Sequence, residues 1–162
     1  SRSTSRTSSG RMKLRGAGLR IGVVTARFNA PICEQLLAGA KKALAEMGVD
    51  AGDIAEVTVP GALEIALALQ AFAATEEFDA LVALGCVVKG DTYHFEVVCN
   101  ESAASITRIG LDHDIAIGNG VLTTFTEEQA MTRAAQKGYE AAQAAVEMAL
   151  LQEWTHSQFG EA

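Results

Sequence analysis

The sequence has little of what would crosslink, kink or anchor a chain. Of its 162 residues only two are proline and three are cysteine, Cys33, Cys86 and Cys99. An odd cysteine count with no CxxC spacing speaks against a disulfide framework and a zinc site, so no metal is expected and a reducing, cytoplasmic setting is. No run of 18 apolar residues occurs, which excludes a helical membrane span. The first 20 residues contain no acid, and residues 1–12 (SRSTSRTSSGRM) have no apolar core of the secretory kind. They read as a flexible basic tail, as the remnant of an organellar targeting segment, or as added sequence. At 20% charged and two prolines, the chain is neither a disordered polyelectrolyte nor collagen-like.

What is present is apolar and acidic. Forty-nine per cent of the residues are hydrophobic, and mean hydropathy is +0.16. A chain of this length fits one domain that buries about 68–70% of its unfolded surface, so it can fold without disulfide or metal. Six basic residues (Arg2, Arg6, Arg11, Lys13, Arg15, Arg20) fall in the first 20 positions, leaving seven against 20 acids in the rest. An acidic body is a poor partner for a nucleic-acid backbone, and any anionic ligand must be held by a few identifiable cations. The C-terminal WTHSQFGEA, from Trp154, loosely resembles a streptavidin-binding affinity tag. The expected organisation is a basic tail over 1–18, a folded domain over 19–152 and a C-terminal tail over 153–162.

Between those ends, two patterns alternate. Arg20–Thr25, Ile54–Val59 and Ala80–Cys86 are short, apolar and largely β-branched, as buried strands are. Asp114–Ile117 and Val121–Thr123 read as a fourth strand region interrupted by Gly118-Asn119-Gly120. Helical spacing runs from Pro31 to Met47, with Asn29 or Ala30 capping, over Ala62–Thr75, and over His94–Gly110. Thr126-Glu127-Glu128-Gln129 is a capping-box pattern opening a further helix, and Gly138–Gln152 reads as a last one. The order βαβαβαβα predicts a three-layer αβα sandwich on a four-stranded parallel sheet, of the flavodoxin-like class. The segment near Leu14–Leu19 is a candidate extra edge strand, for its own sheet or a neighbour's. The chain's 29 alanines suit close helix contacts, within a chain or between subunits, as well as plain helix propensity.

Ligands of an open parallel sheet bind beyond the carboxyl ends of its strands. Each such end here carries something the fold alone does not need. Phe28, before Asn29, is either a staple on the next helix or a stacking platform for a planar heterocycle. Glu64, in Pro60-Gly61-Ala62-Leu63-Glu64, either complements a helix dipole or accepts from ligand hydroxyls. In Lys89-Gly90-Asp91-Thr92-Tyr93-His94, amides around Asp91 and Thr92 before a helix start suit a phosphate, and His94 is placed as a proton acceptor. Cys86 and His94 as nucleophile and base is the weaker reading, because no acid is evident to orient the imidazole. Arg133 and Lys137, one turn apart, are candidate phosphate partners or a solvated helix face.

These residues resemble one family in order and spacing. Phe28-Asn29, Val59-Pro60-Gly61-Ala62-Leu63-Glu64-Ile65, Gly90-Asp91-Thr92-Tyr93-His94-Phe95-Glu96 and Gly120-Val121-Leu122-Thr123-Thr124, followed by Glu128-Gln129-Ala130 and Lys137-Gly138, are similar to 6,7-dimethyl-8-ribityllumazine synthases over roughly Leu19 to Leu151. The resemblance implies an enzyme of the penultimate step of riboflavin biosynthesis. That reaction condenses 5-amino-6-(D-ribitylamino)uracil with 3,4-dihydroxy-2-butanone 4-phosphate, with no metal and no redox cofactor. It implies that Phe28 stacks on the pyrimidine, that Ala62, Leu63 and Glu64 hold the ribityl chain, and that Cys86, Val87 and Val88 line the ring through their backbone. Asp91, Thr92 and Arg133 would bind phosphate, and His94 would transfer the proton. Asn119 stands where many members carry a ring-contacting aromatic, and Ala66 where they have proline. Arg133 and Lys137 are closer together than in many members. The family assembles as pentamers, in some cases as shells of sixty, with sites between neighbours; a homopentamer is expected here, with no nucleic acid and no membrane among its partners. Two other uses of such a scaffold are a flavin- or lumazine-binding module without turnover and an engineered shell protein with a vestigial site.

Overall fold

The computed structural model describes residues 14–90 and 94–160. Four strands and four main helices alternate: β1 (Ile21–Ala26), α1 (Ala30–Glu46), β2 (Ile54–Val59), α2 (Ile65–Ala74), β3 (Ala80–Val88), α3 (His94–Asp112), β4 (Ala116–Thr124) and α4 (Glu127–Phe159). Short 3-10 turns at Ala51–Asp53 and Ala62–Glu64 lead into β2 and α2. The sheet is wholly parallel in the order β2-β1-β3-β4. Helices α1 and α4 pack together on one face, and α2 and α3 on the other. This is the three-layer, flavodoxin-like architecture expected.

The central strands are apolar because both of their faces are covered. All six residues of β1 are buried, as are the first eight of β3. With Leu36 and Leu44 of α1, Ile65 and Leu69 of α2 and Val146 of α4 they form one core. Strand β2, on an edge, is buried only at Val59. The chain leaves β1 towards β2, and later connections carry it to the opposite side. The direction therefore reverses between β1 and β3, which is where a fold of this kind opens a crevice for a ligand.

Three local readings change. Strand β4 runs unbroken through Gly118-Asn119-Gly120. A Cβ at Gly118 would stand 1.9 Å from the Ala141 carbonyl oxygen, so this glycine admits α4 against the sheet and does not break the strand. Helix α4 is likewise continuous from Glu127 through Phe159, so there is no second helix starting at Gly138, and residues 153–159 extend it. Residues 14–19 add no strand to this chain's sheet; Gly16 N–H donates to the Met47 carbonyl (2.7 Å) and Leu19 N–H to the Gly16 carbonyl (3.0 Å). The N-cap holds, with the Thr126 hydroxyl accepting from Gln129 N–H at 3.1 Å, while Gln129 Oε1 accepts from Phe125 N–H at 3.1 Å, one residue before the position that a capping box pairs. No helix among the described residues is long and apolar enough to cross a membrane.

Candidate functional site

The switch point between β1 and β3 gathers most of the expected residues. Immediately after β1, Arg27 N–H donates to the Val59 carbonyl (2.8 Å) and Phe28 N–H to the Pro60 carbonyl (3.1 Å). These bonds tie the β1 end to the turn that carries Ala62, Leu63 and Glu64. The Phe28 ring is 68% exposed. A hydrophobic staple would be covered by its own helix, so that reading does not hold within the chain. Asn29 caps α1 in the left-handed region (φ 61°), which asparagine tolerates, and its carbonyl receives Ile32 N–H and Cys33 N–H at 3.0 and 3.1 Å.

The neighbouring turn is equally open. Leu63 and Glu64 are exposed, and one Glu64 carboxylate oxygen lies 3.3 Å from where a Gly61 Cβ would be. Glu64 makes no ion pair among the described residues. Helix α3 packs against this turn, so His94, exposed at its first position, stands on the same side of the sheet. Asp91 and Thr92, assigned to phosphate from sequence, lie outside the described residues.

At the end of β3, Cys86 and Val87 are buried and Val88 is half-buried. Burial pushes the Cys86 thiol up to about 12, with the nearby Cys33 and Glu127 adding to the effect. A thiol held in its protonated form is a poor nucleophile, which weighs against the Cys86–His94 pairing. Cys33, in the first turn of α1, is pushed up to about 11 by burial, against a hydrogen bond from the Cys86 backbone N–H. Among the described residues no three His, Cys, Asp or Glu side chains gather to hold a metal ion.

Two expected residues lie apart from this cluster. Arg133, with Lys137, lines a cavity of about 470 Å³ together with Val121, Leu122, Thr123, Thr132, Gln136 and Glu140; Phe28, Glu64 and His94 do not line it. No carboxylate pairs with Arg133 among the described residues. Asn119 is in the middle of β4, in register with Ala83, five positions before the strand's end at Thr124. Its Oδ1 accepts from Val121 N–H at 2.9 Å. Sequence reasoning also passed over Lys89 and Phe125. The Lys89 ammonium stands 5.4 Å from the Phe125 ring centroid, and that ring lies 6.4 Å from Phe95. The signal was available: Lys89 is a cation immediately before the expected phosphate loop in an acidic chain.

Residues 18–153 match the family described as 6,7-dimethyl-8-ribityllumazine synthase. Relatives bearing that same name include a protein of Laribacter hongkongensis, 60% identical over 141 residues that cover 86% of this chain and 90% of the relative. One from Ralstonia pickettii is 57% identical over 138 residues, 85% of this chain and 83% of the relative. One from Cupriavidus necator is 58% identical with the same coverage.

Proposed function

The chain belongs to the 6,7-dimethyl-8-ribityllumazine synthase family, and we propose that it carries out the family's reaction, a transferase step of riboflavin biosynthesis. The amine of 5-amino-6-(D-ribitylamino)uracil attacks the ketone of 3,4-dihydroxy-2-butanone 4-phosphate, and loss of water leaves an imine. Phosphate is then expelled as a nearby proton is removed, and ring closure releases a second water. Phe28 stacks on the pyrimidine, Ala62, Leu63 and Glu64 hold the ribityl chain, and the backbone of Cys86, Val87 and Val88 lines the ring. Asp91, Thr92 and Arg133 take the phosphate, and His94 moves the proton. Most of the rate comes from holding two substrates together, with general acid–base help of about 10²–10⁴-fold.

The observation that carries this reading is the exposed Phe28 ring at the switch point, bonded through its backbone to the turn that bears Glu64. An uncovered aromatic in a ligand crevice fits a planar heterocycle better than it fits packing. The site is shared between copies of a homopentamer: Arg133 and Lys137 line a cavity that the residues after β1 and β2 do not reach, on a strand with only β3 beside it. Exposed Leu67, Val97 and Leu111 on α2 and α3 supply apolar surface for such an assembly. Free thiols at all three cysteines fit a reducing cytoplasm. The test is incubation of the purified protein with both substrates, following lumazine absorbance and phosphate release. Turnover with one phosphate per lumazine is expected. Tight lumazine binding without turnover would make the chain a binding module, and neither binding nor turnover by a folded assembly would leave a shell protein.

A further inference from the structure

The Phe28 ring is not held by packing, so the place from which it projects is set by its backbone. Three contacts fix that backbone. Phe28 N–H donates to the Pro60 carbonyl (3.1 Å), Asn29 occupies the narrow left-handed well at φ 61°, ψ 49°, and the Phe28 carbonyl accepts the Cys33 thiol at 3.3 Å. The first ties the platform to β2. The third ties it to the first turn of α1, the helix that packs against β3. Cys33 is 2% exposed, so this bridge excludes water. One small donor thus joins the loop that carries the ring to a helix packed on the strand beside it.

We propose that Cys33 is a positioning residue for the ribitylaminouracil, fixing through the Phe28 carbonyl the place from which the ring projects. The inference rests on Phe28 being the ring platform. The chemistry required is that of a short side chain which donates to the Phe28 carbonyl; serine and threonine meet it, and valine, close in volume, does not. Within the core the thiol is protonated and therefore a donor throughout the neutral range.

The test is a set of variants at one position, with ribitylaminouracil affinity from calorimetry and both KM values from steady-state kinetics. Cys33→Val should weaken the uracil about fivefold, the scale of one neutral hydrogen bond, and leave KM for the butanone phosphate unchanged. Cys33→Ser or Cys33→Thr should restore most of the affinity. In a Phe28→Ala background, Cys33→Val should have no further effect, because there is no ring left to position. If Cys33→Val does not fold, Cys33→Ala carries the same comparison. Unchanged affinity in Cys33→Val beside a weakened Phe28→Ala overturns the proposal alone. Equal loss for both substrates, or a loss that simply adds to that of Phe28→Ala, also overturns it and assigns Cys33 to general packing. Unchanged affinity in Phe28→Ala removes the platform itself, and the proposal with it.

Discussion

Replacing Gly138 by alanine sets two known effects against each other, and the structure decides between them. In a free helix the change is favourable: alanine is better than glycine in a helix interior by about 0.8–1 kcal/mol. In α4 the new Cβ would stand 1.9 Å from the Leu36 carbonyl oxygen, 2.7 Å from its carbon and 3.0 Å from its Cα. All three are backbone atoms of α1, so no side chain can rotate out of the way. The partner position is built in the same manner, since a Cβ at Gly39 would meet the Ala135 carbonyl oxygen at 1.9 Å. Relief requires the helices to part by roughly 1 Å, which loosens the contacts of Leu36, Ala40, Ala134 and Ala141 along the seam. Overpacking of that kind costs about 1–3 kcal/mol, and a clash with rigid backbone belongs at the upper end. The net expectation for Gly138→Ala is a loss of about 2 kcal/mol, a fall in Tm of about 4–8 °C for a chain of this size. Thermal and urea denaturation measure it. A variant as stable as the parent, or stabilised as propensity alone would have it, would refute the claim that α1 and α4 meet backbone to backbone.

Three further outcomes follow from the site. His94→Ala should lower kcat by about 10²-fold with little change in KM, since a proton-transfer group acts in the transition state; steady-state rates near those of the parent would remove it from the mechanism. Arg133→Ala should raise KM for the butanone phosphate by a factor corresponding to about 1.5–3 kcal/mol and leave the uracil's nearly unchanged, whereas an equal rise for both would mark an assembly defect. Alkaline pH should destabilise the fold. Burial raises the Cys33 thiol from 9.0 to about 11 and the Cys86 thiol to about 12, so the folded chain keeps protons that the unfolded chain has released. That contribution is whole below pH 9 and is lost as pH climbs towards 11–12. Urea midpoints at pH 8, 9 and 10 should fall less steeply in Cys86→Ala, and an identical slope would contradict the assignment.

The elements that were legible in the sequence are those whose signal is local. Ile54–Val59 is bounded as expected by its own β-branched run and by Pro60, and α1, marked by Pro31 and Gly48, differs from the expected Pro31–Met47 by one residue at each end. Phe28, Glu64 and His94 stand out in the sequence because an aromatic, an acid and an imidazole follow three strands, and the structure places them after β1, β2 and β3. The misreadings share one cause. Gly118 looked like a break in β4 and Gly138 like the start of a new helix, yet both are places where another backbone comes too close for a side chain. A glycine that permits a turn and a glycine that permits contact are the same letter, and only the partner's position, 23 residues away for Gly118 and 102 for Gly138, tells them apart. Asn119 was misplaced for the same reason. It reads as part of an interruption between two strand segments, but lies mid-strand in register with Ala83.

Those two contacts also bear on where the cations sit. Gly118 lets α4 lie on β4, Gly138 lets it lie on α1, and Arg133 and Lys137 occupy the turns just before Gly138. Because α4 is pressed down at both places, its cations are delivered to a cavity beside Val121, Leu122 and Thr123, at the edge of the sheet that no further strand covers. On the proposed function, the edge bearing two cations and the crevice bearing Phe28 and Glu64 would be complementary halves of a site for a heterocycle and a phosphate. In a closed ring each copy would offer one half to each neighbour, which a heterologous interface permits and a two-fold one does not. Displacing α4 in Gly138→Ala should therefore also raise KM for the phosphate substrate more than for the uracil. Activity of the parent should fall faster than protein concentration once dilution dissociates the ring. A specific activity that stays constant through dissociation would show that one copy suffices, and that Arg133 acts on something other than the phosphate.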